Sequence, residues 1–333
     1  MNLPARVAIL RFSALGDVAM TIPVVYSAAS SFPGVRFRYF TRRKFLPLFV
    51  NAPSNLEVEG VDDAGVMPSA FRLSRLVGAF RPDAVADLHN VGRTWRVDTL
   101  LRLRGVRVAM VDKGRRLRRK ALRDKQPMKP FFERYQEVFA SLGLDFTVTF
   151  ISIFPDGVES PVALRHPAVG IAPFARYATK TYPLPLMESL CRRLAQHGAN
   201  LYFFGGGESE RRILEEWETA IPGSRSLVGL LTLRGEMEVM ANLDAMVSMD
   251  SANQHLASLC ATPVYTLWGG TAPLCGFSPW GQDPARSFCP SVDCHPCSIA
   301  GSGRCARGDF RCFNSLPVEK MAETILKNLC PDG

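Results

Sequence analysis

The sequence predicts an α/β chain of two doubly wound domains, each a parallel sheet with helices on both faces. Three observations predict it. Apolar runs of strand length alternate with helix-length stretches along the chain, the pattern of βαβ units. Residues 154–167 (FPDGVESPVALRHP) interrupt the alternation; they are rich in Pro and polar residues, lack a period and read as a linker. The chain has 333 residues, 47% apolar and 21% charged, which suits two cores at roughly 150 residues per domain. A disordered chain would carry far fewer aliphatic residues.

The elements follow in order. VAILRF is a buried strand, SALGD a turn and VAMTIPVVYSAAS a helix. VRFRYF (strand), RRKFLPLFVNA (helix) and LEVEGV (strand) come next. SAFRLSRLVGAF is an amphipathic helix that closes before Pro82, and AVADLHN is a strand ending in polar residues. After the linker, AVGIAPF is a strand, and PLPLMESLCRRLAQHG is a helix stopped at Gly198, a natural C-cap. ANLYFFGGG, AMVSMD and TPVYTLWG are strands; ESERRILEEWETAI, SANQHLASLC and PVEKMAETILKNL are helices. Two Rossmann-like domains result, over residues 1–158 and 166–315, with a C-terminal helical segment over 316–333.

Composition excludes several classes. No stretch approaches the roughly 20 apolar residues of a spanning helix, and the first apolar run is too short for a signal peptide. The expected place is the cytoplasm, where the nine cysteines stay mostly reduced. The net charge of +9 implies an acidic partner. Residues 113–125 (KGRRLRRKALRDK) concentrate that charge, with eight basic residues and one acid. Such a run suits nucleic acid, a membrane surface or a phosphorylated substrate.

Four segments carry chemistry. In SALGD, Asp17 opens the first helix at the carboxyl end of the first strand, where ligands of open α/β sheets bind. A carboxylate there can take a proton from an acceptor hydroxyl, or it can merely cap the helix. SALGD is not the three-glycine dinucleotide fingerprint. In FARYATKTYP, Lys180 follows the first strand of the second domain and can neutralise a departing diphosphate, or it is a solvated surface lysine. In FFGGGESE, three glycines permit close approach to a ligand; Glu208 and Glu210 behind them can bind ribose hydroxyls or simply favour the helix dipole. In VSMDSANQH, Asp250 ends a strand and Ser251 starts a helix whose free N–H groups suit a diphosphate. Asp250 then faces sugar hydroxyls or pairs with a cation such as Lys180. His255, one turn on, donates to a phosphate oxygen or is a satisfied structural residue.

Together and in this order, these segments resemble glycosyltransferase family nine, the ADP-heptose lipopolysaccharide core heptosyltransferases. MDSANQHLASLCATPVYTLWG and RFSALGDVAMTIP carry the resemblance most strongly, and it extends over nearly the whole chain. It implies a GT-B fold, two Rossmann-like domains facing across a cleft. It also implies an inverting transfer from an ADP-sugar without a required metal or other cofactor. Asp17 matches the general base, Lys180 the lysine on the donor phosphates, and Asp250, Ser251 and His255 the loop and helix start that hold sugar and diphosphate. Glu208 or Glu210 matches the ribose-binding acid. The first domain is implied to bind the acceptor, and the last helix to cross back onto it. One departure bears on the donor sugar: Ala252 stands where many members have Gly, and Asn253 and Gln254 replace apolar or small residues.

A phosphorylated glycolipid at the cytoplasmic face of the inner membrane would explain the basic run, at about 1 kcal/mol per basic residue near an anionic surface. Arg115, Arg116, Arg118, Arg119 and Arg134 are the acceptor-binding candidates, with an exposed face lacking any partner as the plainer reading. Cys294 and Cys297 form a C-x2-C pair, with Cys305 and Cys312 following and Cys289 and His295 nearby. Zinc is one reading, although the second pair is wider than in ordinary structural sites; a disulfide and free thiols are the others. Rival functions are transfer from another nucleotide sugar, a nucleotide-sugar epimerase, and a basic nucleic-acid-binding protein. The last is disfavoured by the cysteine spacing and by the absence of aromatics within the basic run, and no nucleic-acid partner is expected.

Overall fold

A computed structural model describes residues 3–329. In chain order the elements are β1 (Arg6–Leu10), α1 (Leu15–Ala19), α2 (Ile22–Ser31), β2 (Arg36–Thr41), β3 (Leu56–Gly60), α3 (Ala70–Ala79), β4 (Ala84–Asp87), α4 (Gly92–Arg102), β5 (Arg107–Met110), α5 (Arg118–Arg123) and α6 (Phe131–Ser141). They continue as β6 (Ala168–Ala172), α7 (Leu184–Gln196), β7 (Asn200–Phe203), α8 (Glu208–Ala220), β8 (Ser224–Ser226), α9 (Leu233–Met240), β9 (Ala245–Met249), α10 (Ala252–Leu259), β10 (Val264–Leu267), β11 (Ser287–Phe288), α11 (Arg311–Asn314) and α12 (Val318–Leu329). Two compact units emerge: residues 1–116 with 129–153, and residues 117–128 with 154–333.

In the first unit the strand order is β3-β2-β1-β4-β5, all parallel. Alternate residues of β1 serve opposite faces. Ala8 and Leu10 pack with Leu73 and Val77 of α3 and Val97 and Leu101 of α4. On β2, Phe37 meets Phe139 of α6 edge-on. Both faces are covered, which explains why the strands read as continuous apolar runs. The strand order turns back between β1 and β4, so the loops after those two strands share one switch point.

The second unit has the order β11-β10-β9-β6-β7-β8, again parallel. Its core joins Val169, Ile171, Leu201, Phe203, Val247 and Leu267 of the strands to α7, α8 and α12. Here the switch point lies between β6 and β9.

Several expectations need correction. The first predicted helix breaks into α1 and α2 around Met20 and Thr21, with Pro23 in the opening turn of α2, where its missing N–H costs nothing. RRKFLPLFVNA forms only a 3₁₀ turn (Arg43–Leu48), because Pro47 inside it cannot donate to an α-helical ladder. The first unit ends at Ile153 rather than at 158, and it lacks Leu117–Met128. Arg118 and Arg119 therefore belong to the second unit, while Arg115, Arg116 and Arg134 belong to the first. The described part of the last helix packs within the second unit. Val318, Met321, Ala322 and Ile325 of α12 are buried in the second unit's core, against α7. Among the described residues no helix is long and apolar enough to cross a membrane.

Candidate functional site

Two groups of side chains stand at the two switch points. In the second unit, Lys180 ends the short 3₁₀ turn after β6, and Asp250 follows β9, the neighbouring strand. Parallel pairing of β6 and β9 brings the two loops to the same sheet end. Lys180 Nζ lies 2.7 Å from Asp250 Oδ2, with side chains 14% and 4% exposed. Two further side chains donate to the carboxylate. Thr271 Oγ1 donates to Oδ2 at 2.6 Å, and Gln254 Nε2 donates to Oδ1 at 3.0 Å. Gln254 is itself fixed by Thr266 Oγ1, which donates to its Oε1 at 3.0 Å. A pair held this way, with its carboxylate buried, has a defined geometry, which matters more than its net stabilisation.

Ser251 caps α10 in an extended conformation without a side-chain bond to the helix, and its Oγ lies 3.4 Å from Ser248 Oγ. Ala252 is half-buried behind it, while His255 is buried one turn on, with its Nε2 3.3 Å from Gln254 Nε2. The first turn of α10 thus opens beside Asp250 with backbone N–H groups available to an anion.

A loop from the cysteine-rich segment backs this site. Thr179 Oγ1 donates to the Gly301 carbonyl at 2.5 Å, and the Thr179 carbonyl accepts from Gly270 N–H at 2.7 Å. Cys297 and Ser298 both donate their N–H to the Gly270 carbonyl. Gly301 has φ +75° and lies so close to the Lys180 stem that a Cβ would overlap its Cγ and Cδ. His295 Nε2 is 2.8 Å from the Thr271 carbonyl. Cys289, Cys294, Cys297, Cys305 and Cys312 stand as unpaired thiols in this structure. Among the described residues no three His, Cys, Asp or Glu side chains are arranged to hold a metal ion, so the zinc reading finds no ligand set in this arrangement.

Glu208 and Glu210 stand at the start of α8. Glu210 Oε2 accepts from Gly206 N–H at 2.7 Å, so it fastens the glycine turn. Glu208 is exposed and faces Arg212 one turn on, at 3.4 Å. Neither has a contact with the Lys180–Asp250 pair.

In the first unit, Asp17 sits in the opening turn of α1. Its Oδ2 accepts Ala14 N–H at 2.9 Å and pairs with Arg11 Nη2 at 2.8 Å. The capping role and a site position therefore coexist in one carboxylate, a third exposed. Arg11 is buried and donates from Nη1 to the Leu88 carbonyl at 2.6 Å, which ties the loop after β1 to the loop after β4. His89, in that second loop, has Nε2 3.4 Å from Ser13 Oγ. Burial, with the charges of Arg11, Lys113 and Arg42, drives its pKa down to about 3, so His89 is neutral at physiological pH. Lys113 is pushed down to about 8 by burial and by Arg11 and Arg115. Among the described residues no carboxylate forms an ion pair with it. Arg11, Lys113 and Arg42 thus bring three positive charges to bear on His89, a surplus that suits an anion.

Behind this group lies a buried acid pair. Asp87 Oδ1 accepts N–H from His89 and Asn90 at 2.8 and 2.9 Å, which shapes the turn after β4. Asp98 of α4 is pushed up to about 8 by burial and by Asp87, so it holds a proton at neutral pH.

Of the remaining candidates, Arg115 donates to the Asn90 carbonyl at 3.1 Å and lies over Trp95. Arg116 is exposed. Arg134 is 4% exposed; its Nε donates to the Lys129 carbonyl at 2.7 Å and its guanidinium stacks on Phe131. That places Arg134 as a clamp inside the first unit, not as an exposed phosphate ligand.

The sequence model of glycosyltransferase family 9 (heptosyltransferase) matches residues 90–300. The chain belongs to glycosyltransferase family 9. That span contains Lys180, Glu208, Asp250 and the start of α10, while Asp17 precedes it. Solved structures agree in fold. E. coli heptosyltransferase WaaC, solved with ADP-2-deoxy-2-fluoro heptose, is 20% identical, with a TM-score of 0.66 over 97% of this chain and 99% of that one. E. coli ADP-heptose lps heptosyltransferase II is 16% identical, with a TM-score of 0.65 over 98% and 99%. A family 9 glycosyltransferase from Veillonella parvula is 14% identical, with a TM-score of 0.72 over 100% and 99%. No curated protein sequence matches.

Sequence reasoning missed several residues of this family 9 chain. Thr271 left no signal, because its approach to Asp250 depends on the path of a loop 21 residues away. Gln254 stood out only as a departure, yet it is a ligand of the Asp250 carboxylate. Lys113 lay within the basic run, and His89 ended a predicted strand in polar residues, a signal that could have marked it.

Proposed function

We propose that this chain is an inverting heptosyltransferase that moves a heptose from ADP-heptose to a phosphorylated glycolipid of the lipopolysaccharide core. The acceptor hydroxyl gives its proton to Asp17 as its oxygen attacks the anomeric carbon. The bond from that carbon to the diphosphate breaks, and ADP leaves with the added negative charge. Lys180 and the first N–H groups of α10, at Ala252 and Asn253 behind the Ser251 cap, neutralise it, the kind of preorganised contribution that is often the largest in catalysis. Asp250 holds the lysine in place and faces the sugar hydroxyls, His255 supports the diphosphate, and Glu208 serves the ribose. Lys113, Arg115 and Arg116 receive an anionic group of the acceptor. With Lys180 as the cation, transfer is expected to persist in a chelator. The enzyme works at the cytoplasmic face of the inner membrane.

One observation carries the reading: a partly buried lysine paired with a buried, hydrogen-bonded carboxylate at the β6/β9 switch point, beside an open helix start. The carboxyl ends of the strands at a switch point are where ligands of open α/β sheets bind, which supports a functional rather than a purely structural pair. Ala252 favours a second reading, because its methyl adds bulk at the helix start where many members have none, and a different nucleotide sugar would then be the donor. Incubation with ADP-heptose and a panel of UDP-, GDP- and other ADP-sugars, with and without a deacylated core acceptor, decides. The expected product is an acceptor one heptose heavier, formed from ADP-heptose. Transfer only from another donor selects the second reading, and sugar isomerisation without acceptor removes both.

A further inference from the structure

The strap Leu117–Met128 belongs to the second unit. Its inner side is apolar. Ala121 and Met128 are buried with Cys275 and Ile299, and Leu122, Leu274 and Phe277 pack on the same group. Met128 N–H donates to the Leu274 carbonyl at 2.8 Å. Each point it touches leads within a few residues to the Lys180–Asp250 pair. Leu274 and Cys275 follow Thr271, whose hydroxyl donates to Asp250. The Phe277 carbonyl accepts from Gln254 Nε2 at 3.3 Å, and the same amide donates to Asp250. Ile299 lies between Ser298, bonded to Gly270, and Gly301, which holds Thr179 and borders the Lys180 stem.

The outer side is charged. Arg119, Lys120, Arg123 and Lys125 are exposed, with Asp124 the one acid of residues 113–125. Leu117, 55% exposed, projects between Arg116 and Arg118. Arg119 and Arg123 stand four residues apart on α5, where like charges repel one another and weaken a short helix. An anionic bilayer relieves that repulsion and also receives the leucine at its interface, which a free phosphate does not.

We propose that the strap positions the donor site, and that an anionic lipid surface bound to its outer side tightens the grip on the donor through Cys275, Phe277 and Ile299. The proposal rests on the donor-site reading above. Binding energy spent on settling the strap is then returned as donor affinity, a coupling between two sites in the ordinary sense.

Calorimetric titration of the full chain with ADP tests it, in four conditions: alone, with phosphatidylcholine vesicles, with phosphatidylglycerol vesicles, and with inorganic phosphate matched to the lipid. Phosphatidylglycerol is expected to lower the ADP Kd about fivefold or more; the other additions do not lower it. Met128→Ala still binds the vesicles but loses the response, and Met128→Leu restores it. Lys120→Gln with Lys125→Gln loses vesicle binding and the response together. The proposal is overturned if phosphatidylglycerol vesicles bind without changing the ADP Kd, if inorganic phosphate tightens ADP equally, or if Met128→Ala responds like the parent. ADP that binds in none of the four conditions overturns the donor reading itself, whereas ADP bound equally in all overturns only the coupling.

Discussion

The two switch points are built differently. In the second unit a partly buried lysine pairs with a buried carboxylate that also accepts from Thr271 and Gln254, with the Gly301 loop pressed against the lysine stem. In the first unit a partly exposed carboxylate pairs with Arg11, and the positive charges of Arg11, Lys113 and Arg42 act on a neutral histidine nearby. The first arrangement is a finished socket, preorganised for one charged group. The second is an electrostatic field in which a carboxylate is kept accessible. Preorganisation suits the step in which charge develops on a leaving group, while surplus charge suits recognition of an anionic substrate.

Substitutions can break or sharpen this contrast. The largest effect is expected for Asp17→Asn, which should cut kcat about 10²–10⁴-fold with ADP affinity retained, as measured by steady-state kinetics beside calorimetry. Near-parental turnover would remove Asp17 as the base. Gly301→Ala should come next. The added methyl forces the lysine stem aside, and a misplacement of about 1 Å can cost of order 10²-fold in turnover. A crystal structure of that variant with Lys180 unmoved would contradict the socket description.

Lys113→Gln should raise the KM for the acceptor about tenfold with little change in kcat, an effect of about 1.4 kcal/mol. Because the Lys113 pKa lies at about 8, the parental kcat/KM for acceptor should fall as pH rises through 8, where the ammonium is lost. The variant should lack that limb, and a retained limb would assign it to another group. The smallest effect belongs to Asp98. Its folded pKa of about 8 lies above the unfolded value, so the folded state binds the extra proton. Stability from this group is full below about pH 4 and is lost progressively as pH approaches 8. Scanning calorimetry across that window should show a falling Tm for the parent and a flatter profile for Asp98→Asn.

The doubly wound order and the positions of Asp17, Lys180 and Asp250 were legible because each residue follows a strand that ends in a turn. Alternation places such residues at the carboxyl end of a parallel sheet whatever the loops do. What the loops bring in was not legible. Thr271 and Lys113 reach the sites through chain paths that no local period encodes. The basic run looked like one surface, yet its two parts belong to different units, because Ala121 and Met128 find apolar partners around Ile299. The last helix went to α7 for the same reason: its apolar stripe of Val318, Met321, Ala322 and Ile325 is buried there. Family resemblance alone could not foresee either.

Titration of ADP into the parent and into Lys180→Ala tests the proposed donor site most directly. The account predicts that the variant remains folded and binds ADP at least about tenfold more weakly, a loss of about 1.4 kcal/mol or more. Equal ADP affinity in the two proteins would contradict it.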